Sequence, residues 1–115
     1  MNWLPLIAEE QLMDVSILSK KSDIKAVVIF KHSTRCSTSS MALGRLERSW
    51  KLSEKGVPTY FLDLLKYRNI SDKIEQLFEI SHESPQILLI KNGKCIYSAS
   101  HSDISAHEIE TALNS

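Results

Sequence analysis

Cys36 stands at the seam between an apolar, β-branched run (Ala26, Val27, Val28, Ile29, Phe30) and a helical pattern (Met41, Leu43, Leu46, Trp50). Around it the chain reads Lys31-His32-Ser33-Thr34-Arg35-Cys36-Ser37-Thr38-Ser39-Ser40. A cysteine where a strand gives way to a helix lies near the surface. It also faces the positive end of the helix dipole and its unpaired N–H groups, the surroundings that favour a nucleophilic thiolate. Lys31, Arg35 and His32 add positive charge nearby. In a Cys-x-x-Cys pair a second thiol resolves the mixed disulfide. Here that position is Ser39, which has no thiol to do so. The chemistry to expect is that of a lone thiol, which takes an adduct onto itself and keeps it until an external thiol releases it. The plain alternative is an inert cysteine at a helix start.

The neighbours of Cys36 divide between chemistry and housekeeping. Ser37, Thr38 and Ser39 suit a helix cap, while the Ser39 hydroxyl or the first helical N–H groups are also placed to stabilise a thiolate. Arg35 suits a carboxylate on a small thiol as well as plain solvation. His32 and His82 make no metal-ligand spacing with Cys36 and read as surface or loop-organising residues. Cys95, flanked by Ile96 and Tyr97, reads as a buried spectator in a strand. Trp50 and Phe78 fall at core positions of helices.

The elements that must position Cys36 follow from periodicity and punctuation. Ile7 to Lys20 carries Ile7, Leu12, Val15 and Leu18 at helical spacing, with acids early and lysines late. Ile24 to Lys31 is the unbroken apolar run of a strand buried on both faces. A helix then runs to about Lys55, with Gly56 as C-cap and Pro58 beyond. Pro58 to Leu64 reads as a second strand. Asn69 or Ser71 caps a helix whose face is Ile70, Ile74, Leu77 and Phe78, ending near Ile80. Gln86 to Lys91 is a third strand, and Asn92-Gly93 turns it back into Lys94 to Ser98. Ser102 or Asp103 caps a last helix bearing Ile104, Ile109 and Leu113. The order α-β-α-β-α-β-β-α predicts an α/β domain: a mixed four-stranded sheet flanked by helices on both faces, its first two strands parallel and central. Chemistry in such sheets gathers at the carboxyl ends of the parallel strands, just before Cys36.

Composition narrows the partners. The 115 residues make one domain, with 43% hydrophobic and 24% charged residues and zero formal net charge. That balance gives no long-range field for nucleic acid or an anionic membrane. No apolar run approaches the roughly 20 residues of a membrane span. Acidic Glu9 and Glu10 follow Trp3, Leu4 and Leu6, so no signal peptide is read, and the chain is expected in a reducing cytoplasm, its cysteines as thiols.

Two segments together carry a family likeness: Lys31-His32-Ser33-Thr34 before the cysteine, and His82-Glu83-Ser84-Pro85-Gln86 running into Ile87-Leu88-Leu89-Ile90-Lys91-Asn92-Gly93. On these the chain resembles the monothiol bacilliredoxins, a thioredoxin-fold family linked to the low-molecular-weight thiol bacillithiol. The likeness runs from about Ile24 to His101. Family members often carry proline after the cysteine, where this chain has Ser37. The resemblance implies a thioredoxin-like fold with Cys36 as the catalytic thiol and Pro85, after Ser84, as a cis-proline facing it. It implies that Ser84, Pro85, Thr34, Arg35, Ser37 and Ser39 contact the substrate, with the backbone at Ser84–Pro85 pairing with a client chain. The implied reaction removes bacillithiol, or a similar thiol, from modified client proteins, with that thiol as co-substrate and no bound cofactor or metal. Two rivals remain. One is an iron–sulfur carrier like the monothiol glutaredoxins, whose motif has glycine after the cysteine. The other is a non-enzymatic thioredoxin-like interaction domain.

Overall fold

The β-branched run after Ala26 builds the centre of the sheet. In the computed structural model, which describes residues 1–53 and 55–114, it forms β2 (Val27–His32), and all six residues are buried. Alternation along the strand sends Val27 and Ile29 to one face and Val28 and Phe30 to the other. The remaining elements are β1 (Leu4–Pro5), α1 (Glu10–Leu18), α2 (Ser37–Ser49), β3 (Thr59–Asp63), α3 (Arg68–Phe78), β4 (Gln86–Lys91), β5 (Lys94–Ser100), a 3₁₀ turn (His101–Asp103) and α4 (Ala106–Leu113).

The sheet has five strands, not four, in the order β1-β3-β2-β4-β5. The extra strand is the two-residue β1, parallel to β3 through Leu4↔Tyr60 and Pro5↔Phe61. Proline fits there because an edge strand has a free side for a residue without N–H. β2 and β3 are parallel, as expected, and the hairpin β4–β5 adds antiparallel strands on the other side of β2. Asn92 and Gly93 both have positive φ (56° and 76°), the geometry of a tight hairpin turn that asparagine and glycine tolerate. The turn docks on α1: the Asn92 N–H donates to the Ser19 carbonyl (3.0 Å) and the Gly93 N–H to the Ser19 hydroxyl (2.9 Å).

Leu12, Val15, Ile70, Ile74 and Phe78, from α1 and α3, pack on the Val27/Ile29 face. Ala42, Leu46 and Ile109, from α2 and α4, pack with Ile104 on the Val28/Phe30 face. Each apolar stripe is thereby removed from water, the main stabilising term in such a domain.

Several boundaries differ from the sequence reading. α1 starts at Glu10, and Ile7 lies outside it, exposed. The Gln11 side chain fixes that entry by accepting the Ile7 and Ala8 N–H groups (2.7 and 3.0 Å) and donating to the Pro5 carbonyl (2.9 Å). α2 ends at Ser49, six residues before the expected Lys55. Trp50 is already extended, and Glu54, within that stretch, lies outside the described residues. The last helix is capped by Ser105, not Ser102 or Asp103, because the 3₁₀ turn intervenes. The Ser105 hydroxyl accepts the Glu108 N–H (3.1 Å). Among the described residues, no helix is long and apolar enough to cross a membrane.

Candidate functional site: the Cys36 corner

The last two residues of β2 leave on opposite faces of the sheet, and each organises one wall of the Cys36 corner. His32 is buried against Phe61 and Phe30, with ring centroids 5.3 and 6.1 Å away. Its Nδ1 lies 2.7 Å from the Ser39 hydroxyl, which also accepts the Ser33 N–H (3.1 Å). Burial lowers the His32 pKa from its ordinary value, opposed by the Asp63 carboxylate. This neutral pair ties the end of β2, the following turn and the first turn of α2 into one unit.

The turn closes with the Cys36 N–H donating to the Ser33 carbonyl (3.2 Å). Cys36 itself is the N-cap residue of α2, extended at φ −110° and ψ 117°, and half-buried. Its carbonyl accepts the first helical hydrogen bond, from the Ser40 N–H (3.2 Å). The N–H groups of Ser37, Thr38 and Ser39 therefore precede the helical ladder, and no side chain caps this end. The capping expected of Ser37, Thr38 and Ser39 does not occur, because all three lie inside the helix. Ser37 and Thr38 are exposed, and Ser39 is fully buried with its hydroxyl engaged by His32. The helix start is thus left open at the sulfur-bearing residue.

Lys31 points the other way. It is fully buried, and its ammonium donates to His82 Nδ1 (3.2 Å). An ammonium has only protons to offer, so Nδ1 is the bare nitrogen of that ring. The Ser71 hydroxyl lies 3.3 Å from the same atom, and the His82 N–H donates to Glu75 Oε2 (2.9 Å). Burial lowers the Lys31 pKa to about 8, against the attraction of Glu75 and Asp72 on α3. Burial first, and then the Lys31 charge, lower that of His82. Lys31 is therefore not part of the charge around Cys36. It anchors the loop that precedes β4.

That loop reaches the same end of the sheet as Cys36. The antiparallel register Lys31↔Gln86 sets Pro85 opposite His32. The Ser84–Pro85 peptide is cis, as the family likeness implied. Gln86 braces the loop by accepting the Glu83 N–H (3.3 Å) and donating to the Ser81 carbonyl (3.1 Å), and the Pro85 carbonyl accepts the His101 N–H (3.1 Å). The buried Ser84 hydroxyl finds no hydrogen-bond partner among the described residues.

Thr34 and Arg35 are exposed. With Asp63, Leu65, Lys66 and Arg68 they line an open cleft of about 430 Å³ beside Cys36. Nothing in the spacing of Lys66 and Arg68 along the chain reveals that the β3–α3 connection returns to the Cys36 turn. The buried Lys31–His82 pair had a faint signal: a lysine ending an otherwise apolar run. Among the described residues, no three His, Cys, Asp or Glu side chains gather as a metal site.

Cys95 is half-buried on β5, where its thiol donates to the Tyr97 carbonyl (3.4 Å), and burial raises its pKa. It pairs with Ile90, which pairs with Val27 at the start of β2. The length of β2, roughly 17 Å at about 3.3 Å per residue, separates that level of the sheet from the end that carries Cys36. Disulfide bonding needs Cα atoms within about 7 Å, so Cys95 is not placed to resolve an adduct on Cys36.

Known proteins agree with this layout. A putative oxidoreductase with a thioredoxin fold superposes with a TM-score of 0.77 at 28% identity, covering 95% of this chain and 91% of its own. The thioredoxin Mala s 13 of Malassezia sympodialis (TM-score 0.69, 22% identity, 98% and 89% coverage) shares the fold. So does the thioredoxin of Trypanosoma brucei brucei (0.72, 15%, 98% and 88%). The family described as monothiol bacilliredoxin BrxC matches residues 6–109, nearly the whole domain. With one thiol at the open helix start and a buried serine three residues on, this thioredoxin-fold chain belongs to the monothiol bacilliredoxins.

Proposed function

We propose that the protein removes low-molecular-weight thiol adducts, of bacillithiol or a similar thiol, from the cysteines of client proteins in a reducing cytoplasm. The Cys36 thiolate attacks the small-thiol sulfur of the client's mixed disulfide. A Cys36–S–S–R bond forms, the client S–S bond breaks, and the client leaves as a thiolate that takes a proton from water. A second small thiol, as thiolate, then attacks the adduct. It frees Cys36 and leaves as the symmetrical disulfide R–S–S–R, so one client disulfide is reduced as one small-thiol disulfide forms.

The observation that carries this reading is the placement of Cys36 as N-cap of α2. Cys36 is a partly exposed residue, and the N–H groups of the residues that follow it precede the helical ladder. Those groups and the dipole stabilise negative charge as it develops on sulfur, with Ser37 supplying the first of them. Ser39, held by His32, is a positioning residue in this scheme, keeping the turn in register with the helix. The backbone at Ser84 and Pro85 receives the client chain as an added strand, and Thr34 and Arg35 meet the small thiol.

Mass spectrometry of the protein recovered from disulfide-stressed cells tests the reading. A single small-thiol adduct on Cys36 is expected, and its mass names the thiol. An unmodified Cys36 in stressed cells would favour a binding module instead. A brown protein whose colour disappears in Cys36→Ser would favour cluster binding.

A further inference from the structure

We propose that the groove between α1 and α3 docks a cationic amphipathic helix of a partner protein, at a surface separate from the Cys36 corner. The two helices pack on the same Val27/Ile29 face of the sheet. Buried Leu12 floors a groove of about 640 Å³, and Met13 of α1 and Leu77 of α3 wall it. Both wall residues stay largely in water: Met13 is 63% exposed and Leu77 43%. Ile17, 55% exposed and one turn beyond Met13, prolongs the apolar strip along α1. Single exposed apolar side chains mean little, but a continuous strip of them beside a groove marks a contact surface. Met13 suits a helical guest, because its unbranched side chain adapts to the shape laid against it.

The charge around the groove decides which guest. Glu9, Glu10 and Asp14 stand on it with a single lysine, Lys73. Among the described residues none of these four is ion-paired within 4.0 Å, the one such pair being His101–Glu83. Three carboxylates against one ammonium leave a local excess of negative charge in a chain whose formal net charge is zero. In a symmetric pair of this chain the face would meet itself, setting carboxylates against carboxylates. A helix with apolar residues at i, i+3, i+4 and i+7, flanked by lysines or arginines, satisfies both the strip and the charge. The Asn69 amide donates to Glu9 Oε2 (3.0 Å), tying the start of α3 to the start of α1. Arg68, the residue before Asn69, lines the cleft beside Cys36, so the groove adjoins that cleft without including it.

Fluorescence anisotropy on the full chain tests this with two labelled helical peptides of about 18 residues. Both carry leucines at the stated spacing; one fills its other positions with lysines and the other with glutamates. The lysine peptide binds, and the glutamate peptide binds at least about tenfold more weakly. Raising salt from about 0.05 M to 0.5 M weakens the lysine peptide. Met13→Ser/Leu77→Ser and, separately, Glu10→Gln/Asp14→Asn each weaken it by about tenfold. All four side chains are exposed, so both variants keep the fold, checked by unchanged thermal unfolding. A lysine peptide that does not bind, equal binding of the two peptides, or wild-type affinity in either double variant overturns the inference. So does self-association of the wild type that Met13→Ser/Leu77→Ser abolishes, which gives the groove to a second copy of the chain. None of these outcomes bears on thiol exchange at Cys36.

Discussion

Lys31 Nζ and His82 Nδ1 lie 3.2 Å apart, a hydrogen bond that runs from the buried floor of the sheet to the loop carrying Pro85. A lysine with no exposed surface is costly unless something receives it. Here His82 receives its proton and Glu75 and Asp72 its charge. The same bond fixes the His82 ring, whose backbone N–H is held by Glu75. One buried cation thereby sets where the polypeptide turns back toward the Cys36 corner.

The pH dependence of stability follows from that burial. The Lys31 pKa falls from 10.5 to about 8 in the folded chain. Below pH 8 both states carry the proton, and the cost of burying the charge, about 3 kcal/mol, is fully present. Between pH 8 and 10.5 the folded chain has released the proton while the unfolded chain still holds it, so this group makes stability rise with pH. Urea unfolding of the wild type and Lys31→Met between pH 7 and 10 isolates the effect. The stability of the wild type relative to the variant climbs across that window, and a difference that stays flat contradicts the assignment.

Ser39→Ala removes the acceptor for the Ser33 N–H and the partner of His32 at once. Leaving such buried groups unpaired costs on the order of 1–3 kcal/mol. For a domain of this size that lowers the melting temperature by several degrees. The variant's thermal unfolding checks this, and an unchanged midpoint would show the pair to be dispensable.

Ser39→Cys asks a different question of the same position. It restores the second thiol of a Cys-x-x-Cys pair at a buried site in the first turn of α2. The small-thiol adduct on Cys36 is expected to give way to an internal disulfide, read as a mass two hydrogens below the reduced protein. Persistence of the adduct would mean that α2 does not bring the two positions together.

Gly93→Ala probes the hairpin rather than the site. Its φ of 76° disfavours any Cβ, and a Cβ there would stand 3.2 Å from the Ser16 hydroxyl and the Lys20 Cε. A loss of roughly 1–3 kcal/mol in denaturant unfolding is expected, with little change in the reaction of Cys36, which lies at the other end of the sheet.

Much of this was legible in the chain because the strongest signals are local. The apolar run of β2, the Asn92-Gly93 turn and the Cys36 seam each declare themselves within ten residues. What stayed hidden depends on side chains meeting across the fold. β1 is two residues long and exists only because β3 offers an edge to pair with. His32 reads as a surface histidine until Phe61 and Ser39 close over it. Lys31 reads as charge beside the thiol until strand alternation turns it to the opposite face. Lys66 and Arg68 join Arg35 only through the β2–β3 register. The cap of α4 was legible, since Ser105 and Glu108 have capping-box spacing, but Ser102 and Asp103 offered competing caps that the 3₁₀ turn absorbs.

The central claim is met most directly by mixing the reduced protein with a client protein whose single cysteine carries a bacillithiol adduct, then mapping both by mass. The account predicts that the client loses the adduct and Cys36 gains it, one for one, with Cys95 unmodified and no transfer in Cys36→Ser. Transfer that persists in Cys36→Ser, or a client left fully modified beside an unmodified Cys36, would contradict it.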